Sequence, residues 1–170
     1  MMIGATMLLS AFTINQSVEW QVADGYAIKF KGDDAEGIFK AMAGSISFNE
    51  NDLASSNFNI SVEVSSINTG NGMKNKHAKS DKWFDIKTYP KIYFVSKSFT
   101  KTTSGYNVIG TLEMHGTKKE ITIPFTFRDN KFTGSFTVNR MDYGVGSMEG
   151  MSKKVSNEIR LEIFVPVTKK

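Results

Sequence analysis

Residues 57–67 read NFNISVEVSSI. In an extended chain Phe58, Ile60, Val62 and Val64 fall on one face, and Asn59, Ser61, Glu63 and Ser65 on the other, because successive side chains of a strand point to opposite sides. Such period-two alternation marks a half-buried strand. It recurs along the chain. Ile92, Phe94 and Ser96 share a face, as do Tyr106, Val108, Gly110, Leu112 and Met114, then Ile121, Ile123, Phe125 and Phe127. Phe132, Gly134, Phe136 and Val138 form another set, and Ile159, Leu161, Ile163, Val165 and Val167 the last. With strands also expected over 17–23, 26–31 and 36–48, the total is eight or nine.

Turn residues separate these runs: Ser104-Gly105, His115-Gly116, Asp129-Asn130 and the glycine-containing stretch 143–150. Short connections between alternating strands imply antiparallel neighbours. The fold class is therefore all-β, and eight strands suffice to close a barrel with room for packed side chains or one small ligand. Periodicity does not separate a barrel from a sandwich, since both bury one face of each strand. Gly110 and Gly134, within otherwise apolar faces, mark sharp bends or a close approach by a ligand.

Thirteen Phe, five Tyr and only three Pro suit a sheet. The absence of cysteine excludes thiol nucleophiles, zinc-thiolate sites and disulfides. The net charge of +4 is concentrated in residues 74–91, where Lys74, Lys76, Lys79, Lys82, Lys87 and Lys91 face only Asp81 and Asp85. A lysine-rich segment is usually a solvated face, and its other reading is attraction to an anionic ligand or membrane surface. With Arg128, Arg140 and Arg160 the only arginines, nucleic acid is not expected as a partner. Residues 1–12, MMIGATMLLSAF, are apolar and uncharged, too short to span a bilayer, and read as a signal remnant or an apolar tail. The expected boundaries are a tail over 1–13 and one domain over 14–170.

The stretch 68–90 lacks alternation. Met73, His77, Ser80 and Phe84 have helical spacing, which predicts a short helix with Phe84 in the core, stopped before Pro90. His77 with Ser80 and Asp81 or Asp85 contains the residue types of a nucleophilic triad, but no G-x-S-x-G elbow surrounds the serine. His115 falls at a hairpin tip, where an exposed polar residue is expected. Two separated histidines without cysteine make no metal site. The acidic groups Asp33, Asp34, Glu36 and Asn49 to Asp52 read as turns. Arg140 and Asp142 share a strand face and pair, or the arginine meets a polar lipid head.

The run SINTGNGMKNKHAKSDKWFDIKTYPKIYFVS (66–96), then YNVIGTLEMHGTKKEITIPF (106–125), FTGSFTVNRMDYGVG (132–146) and NEIRLEIFVPV (157–167), resembles the YceI-like family. The resemblance extends from about Val18 to Val167. It implies an extended antiparallel, lipocalin-like β-barrel of about eight strands, with a short helix closing one end. Such a barrel would hold a polyisoprenoid or another long-chain, ubiquinone-like lipid without catalysing a reaction. His77, Ser80, Phe84, Asp85, Tyr89 and Pro90 match the family's histidine-containing helix and strand entry, and Arg140, Asp142 and Gly144 its R-x-D-[FY]-G stretch. Lys74-Asn75 stands where the family often has Arg-Asp, and lysine lacks the planar fork that grips a phosphate in two places.

Taken together, the expected lipid-binding residues are Phe58, Ile60, Val62, His77, Phe84, Ile92, Phe94, Val108, Leu112, Phe125, Phe136 and Arg140. Met42, Met73 and Met114 are candidates for adaptable lining or ordinary core. The family implies export to the periplasm or beyond, and transient membrane-surface contact and a homodimer are open. The alternative is a stress-related interaction module with a filled core.

Overall fold

The computed structural model describes residues 17–170, so the expected signal remnant at 1–13 lies outside the described residues. The strands are β1 (Glu19–Val22), β2 (Ala27–Gly32), β3 (Ala35–Phe39), β4 (Met42–Ser47), β5 (Asn57–Glu63), β6 (Ile67–Asn68), β7 (Lys91–Lys101), β8 (Tyr106–Met114), β9 (Thr117–Arg128), β10 (Lys131–Asn139) and β11 (Glu158–Lys169). One helix, α1 (Gly72–Ala78), precedes β7. All strand pairs are antiparallel, in the order β1-β4-β5-β7-β8-β9-β10-β11, and β11 returns to β1 through Trp20↔Lys169 and Val22↔Val167. These eight strands close the expected barrel. The first half of β11 instead pairs with β2, Arg160↔Lys31 to Phe164↔Ala27, and β3 and β6 extend this flap outward.

Two runs read as single strands are each broken. The stretch 36–48 turns a corner at Lys40-Ala41, where the Ser66 hydroxyl accepts from both backbone amides at 3.1 and 3.0 Å. Tyr26 Oη donates to the Lys40 carbonyl at 2.9 Å and accepts from Met42 N at 3.1 Å. The alternation of 57–67 likewise stops at Glu63, and a 3₁₀ turn over Val64–Ser66 delivers that hydroxyl. Val64 stays buried within the turn, so the apolar pattern runs on where the ladder does not.

One end of the barrel is packed solid. Phe48 is 1% exposed, with the rings of Phe58, Phe99, Tyr106, Phe125, Phe127 and Phe132 at centroid distances of 5.1–6.3 Å. Such pairs each add about 0.5–1.5 kcal/mol beyond area burial. The Trp20 indole donates to the Phe48 carbonyl at 2.9 Å and tethers β1 to this floor. Tyr106 Oη donates to Glu50 Oε1 at 2.6 Å beneath it. Burial, then the hydrogen bond to Glu50, pushes the phenol pKa up to about 12.

Gly110 lies opposite Ser96, beside a register shift between Ser96 and Ser98. A Cβ there would come within 2.5 Å of Phe94 Cζ. The close approach expected at this glycine is thus made by the protein's own ring, and the bend by the bulge.

At the opposite end the expected strand at Arg140 is also interrupted. Asn139 Oδ1 accepts from Met141 N at 3.0 Å and caps a 3₁₀ turn over Arg140–Tyr143. Asp142 pairs with Lys119 at 3.2 Å rather than with Arg140. The buried guanidinium has no carboxylate partner. It donates to the carbonyls of Ser156, Val145, Ser152, Val155 and Ser147 at 3.0, 2.8, 3.1, 3.2 and 3.3 Å. A further N–H reaches Met141 Sδ at 3.2 Å, and the cation lies 5.2 Å from the centre of the Trp83 ring. Gly146, at φ +76°, admits this arrangement, since a Cβ would lie 2.7 Å from Arg140 Nη1 and 2.8 Å from Trp83. Burial lowers the Arg140 pKa.

Two outcomes follow from this geometry. In the unfolded chain Tyr106 ionises near pH 10 while the folded phenol keeps its proton to about pH 12. The unfolded state then binds fewer protons, so stability falls across that window; urea melts against pH, with Tyr106→Phe flattening the slope, measure it. Arg140→Met is expected to lower stability by about 3 kcal/mol or more, because charge-assisted bonds to buried carbonyls are lost. Arg140→Lys restores little of it, lacking the fork, and limited proteolysis should then cut between 144 and 156.

Candidate ligand cavity

The lumen above the aromatic floor encloses a cavity of about 990 Å³, at the upper end of small-molecule sites, about 300–1,000 Å³. Strand alternation builds it. Phe58, Ile60 and Val62 enter from β5, Ile92 and Phe94 from β7, Val108 and Leu112 from β8, Phe125 from β9 and Phe136 from β10. Phe84 comes from the turn after α1, while His77 and Arg140 stand at the mouth. All twelve residues expected to bind lipid therefore border one cavity. Phe58, Ile60, Val62, Ile92 and Phe136 point inward yet remain only half-buried, because they face this space rather than another layer. A lumen filled to core density, the alternative expected from sequence, is not what the strands enclose.

Other lining residues come from elements the sequence did not assign to the site. Phe30 of β2 and Phe39 of β3 line the flap side, with Phe39 packed against Phe84 at 6.1 Å. Leu161 and Ile163 of β11 were legible as one face but were not assigned to the cavity. Trp83 had no periodic signal. Met42 and Met114 border the cavity, whereas Met73 is 66% exposed on α1 and does not.

The helix is shorter than its spacing suggested. Asn71 Oδ1 accepts from Met73 N and Lys74 N at 2.9 and 3.0 Å, opening α1, and the helix ends at Ala78. Met73, His77, Ser80 and Phe84 therefore do not share one helical face. Ser80 lies beyond the helix and its hydroxyl donates to the His77 carbonyl at 2.7 Å. The Phe84 amide returns to the Ala78 carbonyl at 3.1 Å, which turns its ring into the lumen. His77 is exposed at the rim.

His115 departs from the exposed hairpin residue expected of it. It is half-buried at φ +52°, with Nδ1 3.2 Å from the Tyr143 carbonyl and its ring edge-on to Tyr89 at 4.7 Å.

The mouth is framed by α1, the turn after it, the β2–β3 turn and the loop 147–155. Lys74, Lys82 and Lys154 stand on this rim, and Lys74 Nζ lies 3.4 Å from the Asp34 carbonyl. Each Arg140 N–H already points at a carbonyl or a sulfur, so its fork holds the rim loop together. Among the described residues no group of three His, Asp or Glu side chains is placed to hold a metal ion, and no helix is long and apolar enough to cross a membrane.

Comparison with known proteins gives the same fold. A UPF0312 protein of Yersinia enterocolitica is 29% identical over 98 residues, 58% of this chain and 48% of that protein, so the match spans about half of the relative. The crystal structure of Burkholderia cenocepacia BcnA superposes with a TM-score of 0.76 at 27% identity, covering 84% of this chain and 96% of that one. A polyisoprenoid binding domain from Saccharophagus degradans, implicated in plant cell wall breakdown, shares the fold at a TM-score of 0.65 and 14% identity, covering 92% and 100%. The family model for the YceI-like domain matches residues 13–166, and the chain belongs to that family.

Proposed function

We propose that the protein binds one long apolar tail, isoprenoid or of similar chain, inside the barrel, and carries or sequesters it without chemical change. The observation that bears this reading is the cavity itself: about 990 Å³, walled by aliphatic and aromatic side chains, floored by packed rings and bordered by polar groups at the mouth. Apolar burial is worth about 25 cal/mol per Å² and about 0.8 kcal/mol per methylene, with no direction demanded of the contacts. A flexible tail is thus held by area alone, and a polar head, such as a quinone ring, is left at the rim. The polyisoprenoid binding domain of the same fold supports this ligand class. The apolar stretch 1–12 supports an exported, periplasmic or secreted location as part of the same proposal.

Native mass spectrometry with a graded series of prenyl alcohols tests the reading. A one-to-one adduct is expected, tightening with tail length until the cavity is filled. Leu161→Trp, which adds bulk at a half-buried lining position, should weaken the longest tails about tenfold or more while leaving the melting temperature nearly unchanged. No adduct with any tail length would overturn the proposal.

A further inference from the structure

Among the described residues the large apolar side chains left exposed are Met73, Tyr93, Val95, Met148, Met151 and Phe164. Three are methionines on the elements that frame the mouth, and of these Met151 borders the cavity. Met73 is on α1, and Met148 and Met151 are on the facing loop, at 66%, 51% and 74% exposure. Lysines surround them: Lys74, Lys76, Lys79 and Lys82 on one side of the mouth, Lys153 and Lys154 on the other. The acidic residues among these segments are Asp81, Asp85 and Glu149, with Asp33 and Asp34 on the adjoining turn. None of the ion pairs among the described residues engages these six lysines; the cations they engage are Lys91, Lys97, Lys118, Lys119 and Arg160. The mouth lysines thus stand free of ion pairs beside the exposed thioethers of Met73 and Met151, while Met148 Sδ lies 3.9 Å from the Arg140 guanidinium.

We propose that this end of the barrel docks on an anionic phospholipid bilayer, Met73 and Met151 entering the interface and the lysines resting on the headgroups, so that the cavity opens onto the membrane. The inference rests on the lipid-binding reading above and adds where the tail is exchanged. Binding at a membrane interface scales with the apolar area inserted plus attraction to anionic lipids, and the rim presents both. Lysines near an anionic surface each contribute attraction that falls off within a Debye length. Thioether side chains adapt to an irregular apolar boundary. Continuity with the mouth argues for a bilayer, since a tail leaving the lumen here passes directly from protein into acyl chains.

The test is co-sedimentation with phosphatidylcholine vesicles, with and without phosphatidylglycerol. Binding is expected to the anionic vesicles and to be lost at raised salt. Lys76→Gln, Lys79→Gln and Lys153→Gln together, none of which borders the cavity, should weaken it about tenfold or more. The same charge removed at the floor end, by Lys101→Gln, Lys131→Gln and Lys169→Gln, should leave it unchanged. The chain has no cysteine, so Met73→Cys and Ser104→Cys each take one environment-sensitive fluorophore, and only the first should shift to the blue on vesicles. Equal loss from both lysine sets, equal binding to neutral vesicles, or a blue shift at position 104 alone would overturn the docking. Prenyl alcohol uptake is measured separately in vesicle-free solution; its failure counts against the cavity reading, and failed sedimentation with intact uptake counts against docking only.

Discussion

The closure of a sheet on itself removes its edges, and here it depends on one of the shortest strands. β1 has four residues, yet it joins β4 through Glu19↔Ser47 and Trp20↔Ile46, and β11 through Trp20↔Lys169 to Val22↔Val167. So few ladder bonds are reinforced from outside the ladder. The Trp20 indole reaches the Phe48 carbonyl, and its ring meets Phe127 edge-on at 5.0 Å. The backbone at Ala23 and Lys170 extends the seam with bonds to Pro166 and Glu19. Closure and floor are therefore one structure, since the rings that fill the barrel's end also hold the strand that shuts it.

That coupling explains how a barrel can be both well packed and hollow. Interiors are ordinarily filled to crystal-like density, and the end around Phe48 obeys this. Toward the mouth the inward positions mix Ile, Val and Leu with Phe84, Phe94 and Phe136, and the lumen keeps its space. The walls retain their shape because the strands are continuous through the floor. Gly110 of β8 makes room for the Phe94 ring, and the bulge opposite it in β7, at Ser96–Ser98, takes up the curvature.

Much of this was legible in the amino-acid order. Period-two alternation identified the strands from 57 onward and the inward faces that border the cavity, because side-chain direction in a strand is fixed by the backbone. The breaks at 40–41 and 64–66 were hidden. They rest on the hydroxyls of Tyr26 and Ser66, while Val64 keeps the apolar rhythm through the turn. The helix at α1 was seen but overextended, since the chain past Ala78 folds back on itself with residues that also suit a helix. Arg140 was misread for a different reason: its partners are backbone carbonyls, which every residue has and no letter reveals. Nor does an inward Phe or Leu disclose whether it faces another ring or open space.

The commitment of the Arg140 guanidinium to five separate carbonyls has a kinetic corollary. Those acceptors are spread over residues 145–156, and they share one donor group. Withdrawing that group orphans them together, whereas fraying at any one of them leaves the others held. The loop on that side of the mouth is thereby a cooperative unit with its own opening equilibrium, of the kind that appears as a sub-global step in hydrogen exchange. The carbonyls of this loop are therefore held or released as a block, and its amide protection should rise and fall together.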